Sequence, residues 1–175
     1  MRKGFGELMR RREEEGMSRW KVGVVSVNWS GQFIQGVVGA GCERRGVDMV
    51  VLSNWVERSE GAVEGPGEIG KEPLVTAGDK LRAMRSYTGD YGTEGEEVVY
   101  VGDSPTDLAC LMEADLGVVM ADDGESKLLA TLKRIGFEVP HVGETREESH
   151  LVWARDFEEV LQSGVMDRVK KRRVS

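Results

Sequence analysis

VVYVGDSPTDLACL, residues 98–111, carries the information that decides the fold. An apolar run ends at a glycine, two aspartates follow four positions apart, and a helical pattern begins. Ser104, Pro105 and Asp107 make a capping box of the S-x-x-D type, with proline at the first helical position. That accounts for three residues without any function. Asp103 is left over, between Gly102, which permits a tight turn, and the helix cap. It therefore stands at the carboxyl end of a strand. Two carboxylates placed this way, one on a strand tip and one in the first helical turn, have the spacing to converge on Mg2+, a hard cation that takes oxygen ligands. Asp107 keeps both readings, cap and metal ligand. For Asp103 the alternative is a turn residue bonding backbone amides.

Outward from this motif the elements alternate. Residues 4–15 read as a helix stopped by Gly16, and Val22–Val27 as a buried strand. SGQFIQGVVGAG reads as a short helix capped by Ser30, and GVDMVVLSNW as a second strand. Residues 57–72, rich in glycine and acids, predict a loop or an exposed hairpin. TAGDKLRAMRSY is a helix, TGDYGTEGEE a connector, EVVYV a third strand and LGVVMA a fourth. ESKLLATLKRIG forms a helix ending near Gly136, and LVWA a short last strand before RDFEEVLQSG. Strand–helix alternation predicts a largely parallel sheet with helices on both faces. Ligands of such sheets bind outside the carboxyl ends of the strands.

Two further residues belong to that edge. Ser26 ends the run VGVVS, where a hydroxyl and adjacent amides can bond a phosphate oxygen; an ordinary serine in a turn is the other reading. Lys80 falls in the first turn of a helix, which the helix dipole disfavours. A charge aimed at a phosphate explains it, and so does a solvated lysine.

The 175 residues fit one domain. With 24 basic and 31 acidic residues and a net charge of −7, the chain has no general attraction for nucleic acid or an anionic membrane. No apolar run reaches the roughly 18–20 residues of a membrane span. Cys42 and Cys110 are too few and too far apart for a disulfide framework or a zinc site, and His141 and His150 form no ligand pair. A reduced, cytoplasmic setting is expected. Lys170–Arg173 in VKKRRVS read as a solvated, frayed cluster, with a nuclear-import or anionic-partner signal as the other reading, and residues 165–175 are expected to be a basic C-terminal tail.

Ser26 after a strand, Lys80 opening a helix and GDSPTD after a strand resemble, in that order, the second, third and fourth motifs of the haloacid dehalogenase-like (HAD) phosphatases. The resemblance covers residues 5–162, with GDSPTDLACLMEADLGVVM its most specific part. More narrowly, VVSVNWSGQFI followed by TAGDKLRAM is similar to HAD domains of fungi and plants related to those fused to thiaminase-like domains. The resemblance implies an α/β, HAD-like Rossmannoid three-layer sandwich over residues 1–164. It also implies a magnesium-dependent phosphomonoester hydrolase acting on a small phosphorylated metabolite. Ser26 would bind the phosphoryl group, Lys80 would neutralise charge, Asp103 with Asp107 would hold Mg2+, and Asn28 and Trp29 would face the substrate.

One part of the pattern is absent. The family's nucleophile is the first aspartate of D-x-D-x-[TV], and none of the ten aspartates begins such a motif. The resemblance therefore implies a sheet lacking its first strand, the one between the strands of Ser26 and Asp103. Catalysis would be incomplete and the sequence a truncated gene product, active only if that strand is supplied. The alternative is an inactive HAD-like domain that binds a phosphorylated ligand or a protein partner. A nucleotide-binding α/β domain ranks below both, because no G-x-x-x-x-G-K-[ST] is present and GVVGAG follows a helical segment.

Overall fold

A computed structural model describes residues 1–14, 21–28, 30–41, 49–54, 56–57, 68–69, 73–89, 97–144 and 149–171. Helix α1 (Phe5–Glu14) precedes strand β1 (Val22–Ser26), helix α2 (Gly31–Gly41) and strand β2 (Met49–Ser53). The short strands β3 (Val56–Glu57) and β4 (Glu68–Ile69) pair antiparallel, in agreement with the hairpin reading of this segment. Then come α3 (Ala77–Thr88), β5 (Val99–Gly102), a single 3-10 turn (Pro105–Asp107), α4 (Leu108–Glu113), β6 (Leu116–Met120), α5 (Lys127–Arg134), β7 (Leu151–Ala154), α6 (Phe157–Ser163) and α7 (Val165–Lys171).

The chain is an α/β protein with parallel, Rossmann-like pairing. Strand β1 pairs parallel with β2, and β5, β6 and β7 pair parallel in that spatial order. The sequence predicts one sheet; the structure divides it in two. Among the described residues no strand pairs with the second edge of β1 or of β5.

Strand β6 shows why its half of the molecule is layered. All five of its residues are buried, which is what a central parallel strand covered on both faces requires. Val119 joins a core of Met84, Tyr100, Leu111, Leu128 and Leu132, drawn from α3, β5, α4 and α5. Its alternate residues Leu116, Val118 and Met120 join Val152, Val160, Val165 and Val169 on the opposite face. Two-residue periodicity thus builds a helix–sheet–helix sandwich from one apolar run. Gly117 permits the contact, since a Cβ there would lie 2.6 Å from the Leu111 carbonyl oxygen and 2.6 Å from Leu151.

The caps follow the sequence closely. Ser30 Oγ accepts from Phe33 N–H at 3.1 Å and starts α2. Thr76 and Asp79 form a capping box on α3. Ser126 and Asp156 cap α5 and α6, and Gly164 takes the left-handed conformation (φ 66°) that ends α6. The C-terminal segment departs from expectation. Its first part is helix α7, with Val165 and Val169 buried in the second core, so the frayed basic tail does not begin at residue 165. Residues 172–175, like Gly16 and Cys42, lie outside the described residues.

His141 is tied into the fold through both ring nitrogens. Gly143 N–H donates to its Nδ1, so Nε2 donates to Glu159 Oε2 at 3.0 Å, and the ring stands edge-on to Trp153. Burial acts to raise the Glu159 carboxyl, but the Arg155 amide and guanidinium together with His141 outweigh it and hold the group at about 2. A depressed carboxylate stabilises the fold above its unfolded value, near 4.3, and loses that contribution as pH falls toward the folded value. Glu159→Gln is therefore expected to lower the melting temperature near neutrality, with the gap to wild type narrowing from about pH 5 to about pH 3. Thermal melts at several pH values check this, and a constant gap would contradict it.

Candidate functional site at the carboxyl edge

The site grows from Gly102. A Cβ at this position would lie 2.5 Å from Asp107 Cβ and 2.6 Å from its Cγ. Its φ is not positive. The glycine is needed for room beside Asp107, not for the turn conformation that the sequence suggests.

Asp107 is buried and both its oxygens are occupied. Oδ1 accepts from Lys80 Nζ at 2.6 Å and from the Tyr100 hydroxyl at 2.8 Å. Oδ2 accepts from Ser104 Oγ at 2.7 Å, Ser104 N–H at 3.0 Å and Asp103 N–H at 3.2 Å. Five donors on about four lone-pair sites leave no oxygen for a cation. The Lys80 and Asp107 side chains are only 7% and 5% exposed. Burial alone would raise the Asp107 carboxyl. Hydrogen bonds from Lys80, Ser104 and Tyr100, with the lysine charge, more than offset it, and the group lies below the ordinary carboxylate range. Burial and the Asp107 charge push the Tyr100 phenol well above its usual range. Burial likewise pushes the Cys110 thiol beneath them up to about 11.

Lys80 is thereby explained. Its unfavourable place in the first turn of α3 is offset by a buried carboxylate, not left to solvent. Asp107 is both cap and counter-ion, because it bonds the Ser104 amide while holding the lysine. Expected as a direct ligand of Mg2+, it does not fit that role. Asp103 is exposed at the strand tip. Among the described residues no group of three or more His, Cys, Asp or Glu could hold a metal ion. The donors already on Asp107 thus argue against its direct ligation of Mg2+, while the exposed Asp103 carboxylate carries no such commitment.

Ser26 lies on the same edge, as the ties around α3 establish. Asn54, just beyond β2, is buried and donates to Val27 O at 3.1 Å and Leu74 O at 2.9 Å, while accepting from Leu74 N–H at 2.7 Å. This fastens the segment entering α3 to the end of β1. At the other end of α3, the Tyr87 hydroxyl donates to Val22 O, where β1 begins. Along α4, Lys80 meets Asp107 at the start and Arg85 meets Glu113 at the end. Helices α3 and α4 thus run the same way, both opposite to the strands they cover, and β1 and β5 point in the same direction. The Ser26 hydroxyl accepts from Asn28 N–H at 3.2 Å, and Asn28 Oδ1 from Ser30 N–H at 3.1 Å. The structure brings the Lys80 and Asp107 side chains together with the Asp103 backbone amide, while the Asp103 carboxylate is exposed, and it places Ser26 and Asn28 on the same edge. Trp29 lies outside the described residues.

Sequence reasoning missed Tyr100 and Asn54. Tyr100 was legible as an inward position of β5 carrying a polar tip, and Asn54 as a lone polar residue ending an apolar strand. A hollow of about 270 Å³ beside α5, lined by Leu129, Lys133, Phe137 and Trp153 among others, includes none of the cluster.

A parallel α/β fold with a buried lysine–aspartate pair at its carboxyl edge defines the class. No family model matches the chain. Over 115 residues, 65% of its length, it is 30% identical to the Bifunctional TH2 protein, mitochondrial, of Arabidopsis thaliana, and the match covers 17% of that protein. No helix among the described residues is long and apolar enough to cross a membrane.

Proposed function

We propose that the chain is a HAD-like domain that binds the phosphoryl group of a small phosphorylated metabolite, and that these residues alone do not transfer it. The observation that carries this reading is the fixed Lys80 ammonium. It is held by Asp107 through one of its three N–H donors, on the edge where Ser26 presents a hydroxyl. A cation and a hydroxyl on one strand edge suit a phosphate oxygen. The lack of any D-x-D-x-[TV] aspartate removes the attacking group, and the committed oxygens of Asp107 leave no route through a magnesium pair. The Arabidopsis relative is named only as bifunctional and adds nothing on substrate. A cytoplasmic setting stands as part of this proposal, beside a relative named as mitochondrial.

A second reading, a phosphomonoester hydrolase completed by an added strand, is favoured by the edges of β1 and β5 with which no strand among the described residues pairs. They point the same way, as they would to receive a parallel strand between them.

Inorganic phosphate at about a hundred times its dissociation constant is expected to stabilise the chain by about 2.7 kcal/mol, read as a rise in melting temperature. Ser26→Ala is expected to reduce the rise. An aryl phosphate should not be hydrolysed. Absence of any phosphate-dependent rise would overturn the binding reading. Hydrolysis appearing when a D-x-D-x-[TV] peptide is added would carry the second.

A further inference from the structure

We infer that Tyr100 is a positioning residue for Lys80, acting through the one Asp107 oxygen that both groups share. The Asp107 carboxylate is fixed from two sides. Oδ2 takes three donors from the turn Asp103–Ser104, which sets the plane of the group. Oδ1 has two lone pairs; the Tyr100 hydroxyl takes one at 2.8 Å and Lys80 Nζ the other at 2.6 Å. A lysine ammonium is a point charge on a flexible four-carbon stem, with no preferred direction of its own. Its direction is set by the site left open to it, and the phenol decides which site that is.

The surroundings make this restraint stiff. Tyr100 is itself buried on β5, and Cys110 beneath it is fully buried. Gly102 keeps the space beside Asp107 clear. Without the phenolic oxygen the ammonium is free to range over both lone pairs of Oδ1, and its remaining N–H donors lose their fixed aim. The use made of that aim, at a phosphoryl group, rests on the function proposed above; the restraint itself does not.

The test is amine labelling of the full chain by reductive methylation, with peptide mapping and with exposed Lys127 and Lys133 as internal references. In wild type Lys80 is labelled slowly. Tyr100→Phe is expected to raise its relative rate roughly tenfold, the worth of one hydrogen bond to a charged group. Ser104→Ala removes a donor from the other oxygen and is expected to change the Lys80 rate by about twofold or less. An unchanged rate in Tyr100→Phe overturns the inference. So does an equal rise in both variants, which would mean that burial alone restrains the lysine. Melting curves with inorganic phosphate are run alongside. Slow Lys80 labelling that responds as expected to Tyr100→Phe, in a chain with no phosphate response, would sink the binding function and leave this inference standing.

Discussion

Asp107→Ala is expected to lower the unfolding free energy by about 3–5 kcal/mol, because it strands the buried Lys80 ammonium without its counter-ion. The Tyr100 hydroxyl and the Ser104 amide lose their acceptor in the same step. Removing the other partner should cost less. In Lys80→Met the carboxylate keeps its donors from Tyr100, Ser104 and Asp103, and the methionine fills much of the space of the stem; roughly 1–3 kcal/mol is expected. The double variant should be less destabilised than the sum, since each single change leaves a buried charge without its counter-ion and the double change leaves none. Urea unfolding of the three variants and wild type checks this. Equal losses for the two single variants would show that the pair is not electrostatically lopsided in this way.

Leu111→Ala should cost about 2–5 kcal/mol, the range for a fully buried leucine whose neighbours close only partly over the gap. Leu111 is completely buried in the first core and sits on α4, a helix of six residues. So short a helix has little stability of its own; its packing against β6 holds it, and with it the turn that carries Asp107. By contrast Ile135→Ala, at a site 49% exposed, should stay within about 0.5 kcal/mol of wild type. Chemical denaturation midpoints separate the two cases.

Local signals make much of this molecule legible in its sequence. The apolar run Leu116–Met120 declared a strand, and Ser30 and Ser104 marked helix starts by their chemistry. The pairing of Lys80 with Asp107 was not legible, because it joins residues 27 apart in sequence and depends on α3 lying alongside α4. The spacing of Asp103 and Asp107 pointed to a shared cation. What decided otherwise was desolvation: a buried carboxylate takes whatever donors surround it, and five were at hand. The helical bridging by α3 of the two parallel sheets had no local signal, because it joins segments far apart in sequence. The basic residues beside Val165 and Val169 mask their four-residue apolar spacing, which is the local sign of the docked helix.

The division of the strands has a thermodynamic corollary. The β5–β6–β7 half is roofed by helices on both sides and holds most of the fully enclosed side chains, while β1 and β2 contain no residue in the most buried class. Free energies of opening scale with the apolar area that opening exposes. The smaller half can therefore detach in sub-global excursions that leave the larger one intact. Ser26 travels with the loose partner and Lys80 with the firm one, so the distance between them is set by a balance of local stabilities, and any ligand that bridges them would act as a clasp.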